Sequence, residues 1–145
     1  MIFVPAAFTA DGYFRTGDIG YVDPDGYLFI VDRKKDIIIR GGENISAKEV
    51  EDVLHGHPGI HEAAVVAIPH ERLGEGICAY LVPADAGRAL SLEEVASFAD
   101  RAGLGRQKIP QRIELVTELP RTASGKVRKD ILRRQLADPA GKGKR

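Results

Sequence analysis

The sequence predicts an α+β fold: a small mixed sheet covered by helices, preceded by a β-hairpin and a hinge. Three observations carry that expectation. Ser46 with Glu49, and Ser91 with Glu94, each form a Ser-x-x-Glu box that opens a run of apolar residues at helical spacing. Two dense apolar runs, HEAAVVAIP and GICAYLVP, lie between those helices and read as strands. Upstream, the turn sequence DPDG separates two further apolar runs.

Each element follows from local chemistry. In GYVDPDGYLFIVD (20–32) proline fixes φ and glycine tolerates positive φ, so the segment reads as a hairpin. The EF-hand loop pattern is absent, and the turn accounts for the two aspartates. DRKKD lacks apolar periodicity and joins the hairpin to the rest, and DIIIRGGEN is a short strand running into a glycine pair. The helix capped by Ser46 turns Val50, Val53 and Leu54 inward and ends near Gly56 and Pro58. The polar HERLGE joins the two strands that follow. The second helix, SLEEVASFADRAGL, buries Leu92, Val95, Phe98 and Ala99. After the KIP turn, RIELVTELP is a third strand, TASGK is a loop, and Val127, Ile131, Leu132 and Leu136 form the inner stripe of a last helix. The expected organisation is a hairpin segment over 1–34, an α+β domain over 35–137 and a disordered basic tail over 138–145.

Charge is balanced overall, 21 Lys and Arg against 21 Asp and Glu, but unevenly spread. From Arg121 onward there are nine basic and two acidic residues, which leaves 21 − 9 = 12 against 21 − 2 = 19 before it. A basic tail could bind nucleic acid or anionic lipid. It holds no aromatic residue on which bases could stack, and VRKDILRRQL reads instead as a helix with a charged outer face, so no nucleic-acid partner is expected. The single cysteine excludes an internal disulfide, and Cys78, inside GICAYLV, reads as a packed thiol. No apolar stretch reaches the roughly 20 residues that span a bilayer. The N-terminal MIFVPAAFTA lacks the basic start of a signal peptide, so a cytoplasmic location is expected. His55, His57 and His61 invite a metal reading, but zinc needs three or four converging ligands with fixed tautomers. Two of these histidines close a helix, where the dipole favours a cation, and no metal site is expected.

LPRTASGK (119–126) combines serine, glycine and lysine in a way that suggests phosphate handling. The P-loop template G-x-x-x-x-G-K-[ST] fails on it: Pro120 stands where the first glycine belongs, and Val127 where a magnesium-binding hydroxyl belongs.

Four segments in order, FRTGD (14–18), DRKKDIIIRGGENI (32–45), KIP (108–110) and LPRTASGK (119–126), resemble the C-terminal part of the adenylate-forming enzymes. These are the acyl-CoA synthetases, with peptide-synthetase adenylation domains and luciferases as cousins. The resemblance implies a reaction in which a carboxylate attacks ATP to give an acyl-adenylate. A small C-terminal domain then swings, and a thiol, usually CoA, displaces AMP. It implies that Asp18 holds the ribose hydroxyls, a vicinal diol that one carboxylate can accept from twice. Arg33 would approach the ribose and phosphates with a planar guanidinium, and Lys35 would be the hinge. Gly41, Gly42 and Glu43 would line the pantetheine tunnel, where paired glycines let backbone approach a thin ligand. Lys126 would be the catalytic lysine of adenylation, its ammonium bridging substrate carboxylate and α-phosphate. Ala47 departs from the proline common in the family at that position, which affects only rigidity.

The implied ligands are ATP or AMP, CoA and Mg2+, held mostly by a large N-terminal AMP-binding domain that is the expected partner. That domain has no room before FRTGD, so the chain is expected to be the C-terminal domain alone and inactive by itself. RGGENI and DRKKD look closer to fatty-acyl and aryl-CoA ligases than to peptide synthetases, and a fatty acid is the expected substrate. A different reading is a non-catalytic module that docks on a partner or self-associates, because separating two domains exposes the faces between them.

Overall fold

The computed structural model describes residues 7–138, and the chain separates into two compact units between Ile37 and Ile38. The expected tail therefore lies, apart from Asp138, outside the described residues, as do residues 1–6.

In the first unit β1 (Asp18–Val22) and β2 (Leu28–Arg33) pair antiparallel, with Tyr21 opposite Phe29 and Val22 opposite Leu28. The DPDG turn closes as its composition predicts. Asp23 Oδ1 accepts the backbone N–H groups of Asp25 and Tyr27 at 3.0 and 2.9 Å, and the Asp23 carbonyl accepts from Gly26. Tyr21 and Phe29 stack across the strands at 5.2 Å. Consecutive residues of β2, from Leu28 to Val31, are all exposed, so side chains on both faces of the hairpin are open.

The second unit is built on a five-stranded mixed sheet. Its long hairpin, β5 (Ile60–His70) and β6 (Gly74–Pro83), pairs antiparallel over nearly its whole length. β3 (Ile37–Arg40) and β7 (Arg112–Leu115) pair with different parts of β6, β7 in parallel, and β4 (Glu43–Ser46) extends beyond β3. Alternate residues of β5 and β6 feed two cores. Val65, Ile77, Ala79 and Leu81 face α1 (Ala47–His55) and α2 (Leu92–Arg101), meeting Val50, Leu54, Val95 and Ala99. Ala64, Val66, Cys78, Tyr80 and Val82 face α3 (Lys129–Ala137), meeting Leu132. Burial on both faces is why these strands are continuous apolar runs rather than alternating ones.

Both capping boxes form on the donor side: Glu49 N–H donates to Ser46 Oγ at 3.2 Å and Glu94 N–H to Ser91 Oγ at 3.1 Å. The expected last strand is shorter than RIELVTELP, ending at Leu115, although Val116 N–H still bonds the Leu81 carbonyl. The last helix begins at Lys129, so Val127 is not on its stripe. It pairs instead with Arg121 as an isolated bridge and packs against the α3-side core. β4 was not expected at all. The glycine pair leads into a second strand, because Gly41 and Gly42, at φ 58° and 83°, form the two-residue turn of a tight hairpin.

Candidate functional site

In the first unit Asp18 and Arg33 face each other in register at the open end of the hairpin. Arg33 Nε lies 3.5 Å from Asp18 Oδ1, and Arg33 Nη2 donates to the Thr16 carbonyl at 3.2 Å. Asp18 N–H in turn bonds Thr16 Oγ1, and Lys34 N–H bonds the Gly17 carbonyl at 2.7 Å. FRTGD and the start of DRKKD are thus knitted into one carboxylate–guanidinium pair. Both side chains are part-exposed, leaving the carboxylate able to accept from a ligand hydroxyl. Lys35 is exposed in the single 3-10 turn Lys34–Asp36, two residues before the division between the units.

In the second unit the Gly41–Gly42 turn is tied to the tip of the β5–β6 hairpin. Gly41 N–H donates to the Leu73 carbonyl at 2.8 Å, and a Cβ on Gly41 would lie 3.3 Å from Leu73 Cδ2. Arg40 Nη1 reaches the Gln107 carbonyl at 2.6 Å, beside the KIP turn, where Lys108 pairs with Glu49 at 2.9 Å. Gly42 has open space around it, and Glu43 is exposed.

Lys126 sits on a loop closed by its own residues. Thr122 N–H donates to the Lys126 carbonyl at 2.8 Å, Lys126 N–H donates to Thr122 Oγ1 at 3.1 Å, and Thr122 and Ser124 hydroxyls meet at 2.9 Å. Both hydroxyls that give the motif its phosphate-loop look are engaged within the loop. The Lys126 ammonium makes no hydrogen bond or ion pair among the described residues and is exposed.

The structure brings together Asp18 with Arg33, and Gly41 with Gly42 and Glu43, but it separates Lys126 from the glycine turn. Arg121 anchors the Lys126 loop to Glu62, near the start of β5, whereas the glycine turn is anchored beyond its far end at Leu73. The eight steps from Glu62 to His70, at ~3.4 Å each, put roughly 27 Å of strand between the anchors.

The histidines take backbone roles. His55 Nε2 accepts Ala63 N–H at 3.3 Å, which ties the end of α1 to β5. His57 Nδ1 accepts Gly59 N–H at 2.9 Å, its Nε2 lies 3.4 Å from Glu94, and Phe98 packs edge-on against its ring. Among the described residues no three His, Cys, Asp or Glu side chains converge on a point that could hold a metal.

Sequence reading passed over two residues at the Lys126 loop, Arg121 and Glu62. Arg121 lies within LPRTASGK itself; Glu62 carries no local signal, since its partner lies 59 residues away.

Comparisons with known proteins identify the family. The model of the AMP-binding enzyme C-terminal domain family matches residues 49–126. A medium-chain fatty-acid–CoA ligase of Escherichia coli K12 is 49% identical over 90% of this chain, and a 2,3-dihydroxybenzoate-AMP ligase of Bacillus subtilis is 44% identical over 92%. The chain spans about a quarter of these relatives, 23% and 24% of their lengths. Among solved structures, ATP-bound MatB from Rhodopseudomonas palustris superposes with a TM-score of 0.82 at 38% identity, over 92% of this chain and 26% of that one.

Proposed function

The chain belongs to the AMP-binding enzyme C-terminal domain family, and on that premise we propose that it is the swinging lid of an AMP-forming acid–CoA ligase. The observation that carries the proposal is the placement of an exposed Lys126, its ammonium without a partner among the described residues, and the Gly41–Gly42 turn near opposite ends of β5. One rigid sheet cannot present both to the same ligand at once. A domain that presents first one and then the other suits a reaction in two steps.

In the first step a substrate carboxylate oxygen attacks the α-phosphorus of ATP and pyrophosphate leaves. The Lys126 ammonium lies between carboxylate and phosphate oxygens and stabilises charge as it moves, while Asp18 and Arg33 hold the ribose. In the second step the CoA thiol, losing its proton, attacks the acyl carbonyl and AMP leaves, with the Gly41–Gly42–Glu43 turn against the pantetheine. Lys35, exposed in the turn before the division between the units, absorbs the rotation between the two poses. Magnesium, when bound, neutralises phosphate charge. The described residues offer no donor set for it.

The partner in this reading is a large AMP-binding domain that holds nucleotide and acid, in the cytoplasm where ATP and CoA are supplied. The exposed apolar residues on both faces of the β1–β2 hairpin support such a partner, since a two-stranded hairpin is marginal on its own. A fatty acid is the proposed substrate, after the fatty-acid–CoA ligase similarity, with an aryl acid as the alternative.

Grafting this chain in place of the matching quarter of the 49% identical fatty-acid–CoA ligase tests the proposal. The graft should release pyrophosphate with a fatty acid and ATP. Lys126→Ala should slow that release by roughly 100- to 1000-fold while sparing CoA transfer from supplied acyl-adenylate. An unimpaired Lys126→Ala graft would refute it.

A further inference from the structure

We propose that Arg121, held by Glu62, is the positioning residue for Lys126: it fixes the peptide bond that precedes the lysine and so sets where the ammonium points. This rests on the reading of Lys126 as the adenylation lysine. Arg121 Nη1 donates to the Gly125 carbonyl at 2.8 Å, and that carbonyl belongs to the peptide unit whose N–H is Lys126's own. The other side of the same peptide is held as well, because Lys126 N–H donates to Thr122 Oγ1. With both ends of that plane fixed and the Lys126 carbonyl accepting from Thr122 N–H, the lysine backbone has no free rotation, and only its side-chain torsions remain.

The second Nη of Arg121 bonds Glu62 Oε1, near the start of β5, so the loop is referred to the sheet rather than left on a tether. This use of the guanidinium needs its fork: one nitrogen for a carbonyl, the other for a carboxylate, in one plane. A lysine at 121 would offer its donors from one nitrogen, without the planar spread between two. The neighbouring Arg128 N–H→Pro120 carbonyl bond, 2.7 Å, closes the base of the loop independently, so loss of the arginine leaves the loop attached but frees the Gly125 carbonyl and the link to β5.

The grafted enzyme tests this with its two half-reactions measured separately. Arg121→Ala should slow adenylation by roughly 10- to 100-fold, the usual consequence of a catalytic group displaced by about 1 Å. CoA transfer from supplied acyl-adenylate should be unchanged, because the lysine is then withdrawn. Glu62→Ala should fall in the same direction by less, and Glu62→Gln, which still accepts a hydrogen bond, should recover most of the rate. In the chain itself, Arg121→Ala should raise amide exchange at Thr122 and Lys126 on the order of tenfold, with core β5 amides unaffected. Equal loss in both half-reactions would mean a structural role and overturn the inference, as would Glu62→Gln being as poor as Glu62→Ala. Unimpaired adenylation by Arg121→Ala, with Lys126→Ala impaired, would overturn it alone. Unimpaired adenylation by Lys126→Ala would remove the functional reading and this inference with it.

Discussion

Replacing Glu51 by alanine should destabilise the second unit more than any other single change at a polar side chain of α1. Among the described residues β5 is the last strand of its sheet, so its outward N–H groups face no neighbouring strand there. α1 covers that edge with side chains: Glu51 Oε1 accepts Val65 N–H at 2.9 Å, and the same oxygen holds Lys129 Nζ at 2.6 Å. Val65 is fully buried, and the Glu51 and Lys129 side chains are only 17% and 16% exposed. Alanine orphans a buried donor, at about 1–3 kcal/mol. It also leaves Lys129 unpaired. Breaking a fully buried pair costs about 3–5 kcal/mol, but here the ammonium can extend towards water, so most of that figure is recovered. The sum is about 2–4 kcal/mol, which in a domain of about 100 residues lowers the melting temperature by roughly 10–25 °C. Glu51→Gln keeps an acceptor for Val65 and should cost about 1 kcal/mol. Urea unfolding followed by circular dichroism would compare these variants with Lys129→Ala and the double variant. A loss below about 0.5 kcal/mol for Glu51→Ala, the size of an ordinary surface change, would refute the edge-capping argument. So would equal losses for alanine and glutamine.

Two further outcomes follow from the same physics. Gly41→Ala places a Cβ on a residue at φ 58° and 3.3 Å from Leu73 Cδ2, so it should lose about 1–2 kcal/mol in urea titrations, from left-handed backbone strain alone. Tyr80 is buried with its hydroxyl donating to the Leu132 carbonyl at 3.1 Å, and burial, chiefly, pushes its pKa up from 10.0 to about 12. Between pH 10 and 12 the folded chain keeps the phenol proton that the unfolded chain has lost, so stability is fully present below pH 10 and falls as pH rises to about 12. Tyr80→Phe should abolish that slope in pH-dependent thermal melts, at a cost of about 1 kcal/mol near neutrality.

What could be read from the sequence was what short-range chemistry decides. Ser46 and Ser91 cap their helices because the bonds they accept come from residues three positions away. The DPDG turn closes on Asp23 for the same reason. The β5 and β6 runs were legible because two covered faces leave no polar alternation to interpret. What escaped was contact at long range. Nothing in GGENI distinguishes a turn into a helix from a turn into β4, since both use paired glycines and the outcome depends on β3 lying beside β6. Val127 has the apolar character of a helical stripe residue, but the Arg121 bridge claims it first. The bond from Ala63 N–H on β5 to His55 at the end of α1 spans eight residues, and no local pattern marks it.

The same distinction bears on how LPRTASGK could serve the proposed phosphate chemistry while failing as a phosphate loop. A P-loop must surround its ligand with backbone N–H groups, and so it spends glycines on exposing them. In this loop the Thr122 and Lys126 amides donate inward, and the Thr122 and Ser124 hydroxyls bond each other. What remains outward is a single ammonium on a fixed backbone. Such a group binds nothing tightly by itself, because one exposed lysine gains little over its hydration. It becomes valuable only where a nucleotide is already held and water is excluded, and there its charge acts at nearly full strength. Rigidity of the Arg121-clamped loop and weakness of its intrinsic binding are therefore compatible requirements. On the function proposed above, weak binding would let the lysine leave after the first chemical step, and a set backbone would deliver it to the same position when it returns.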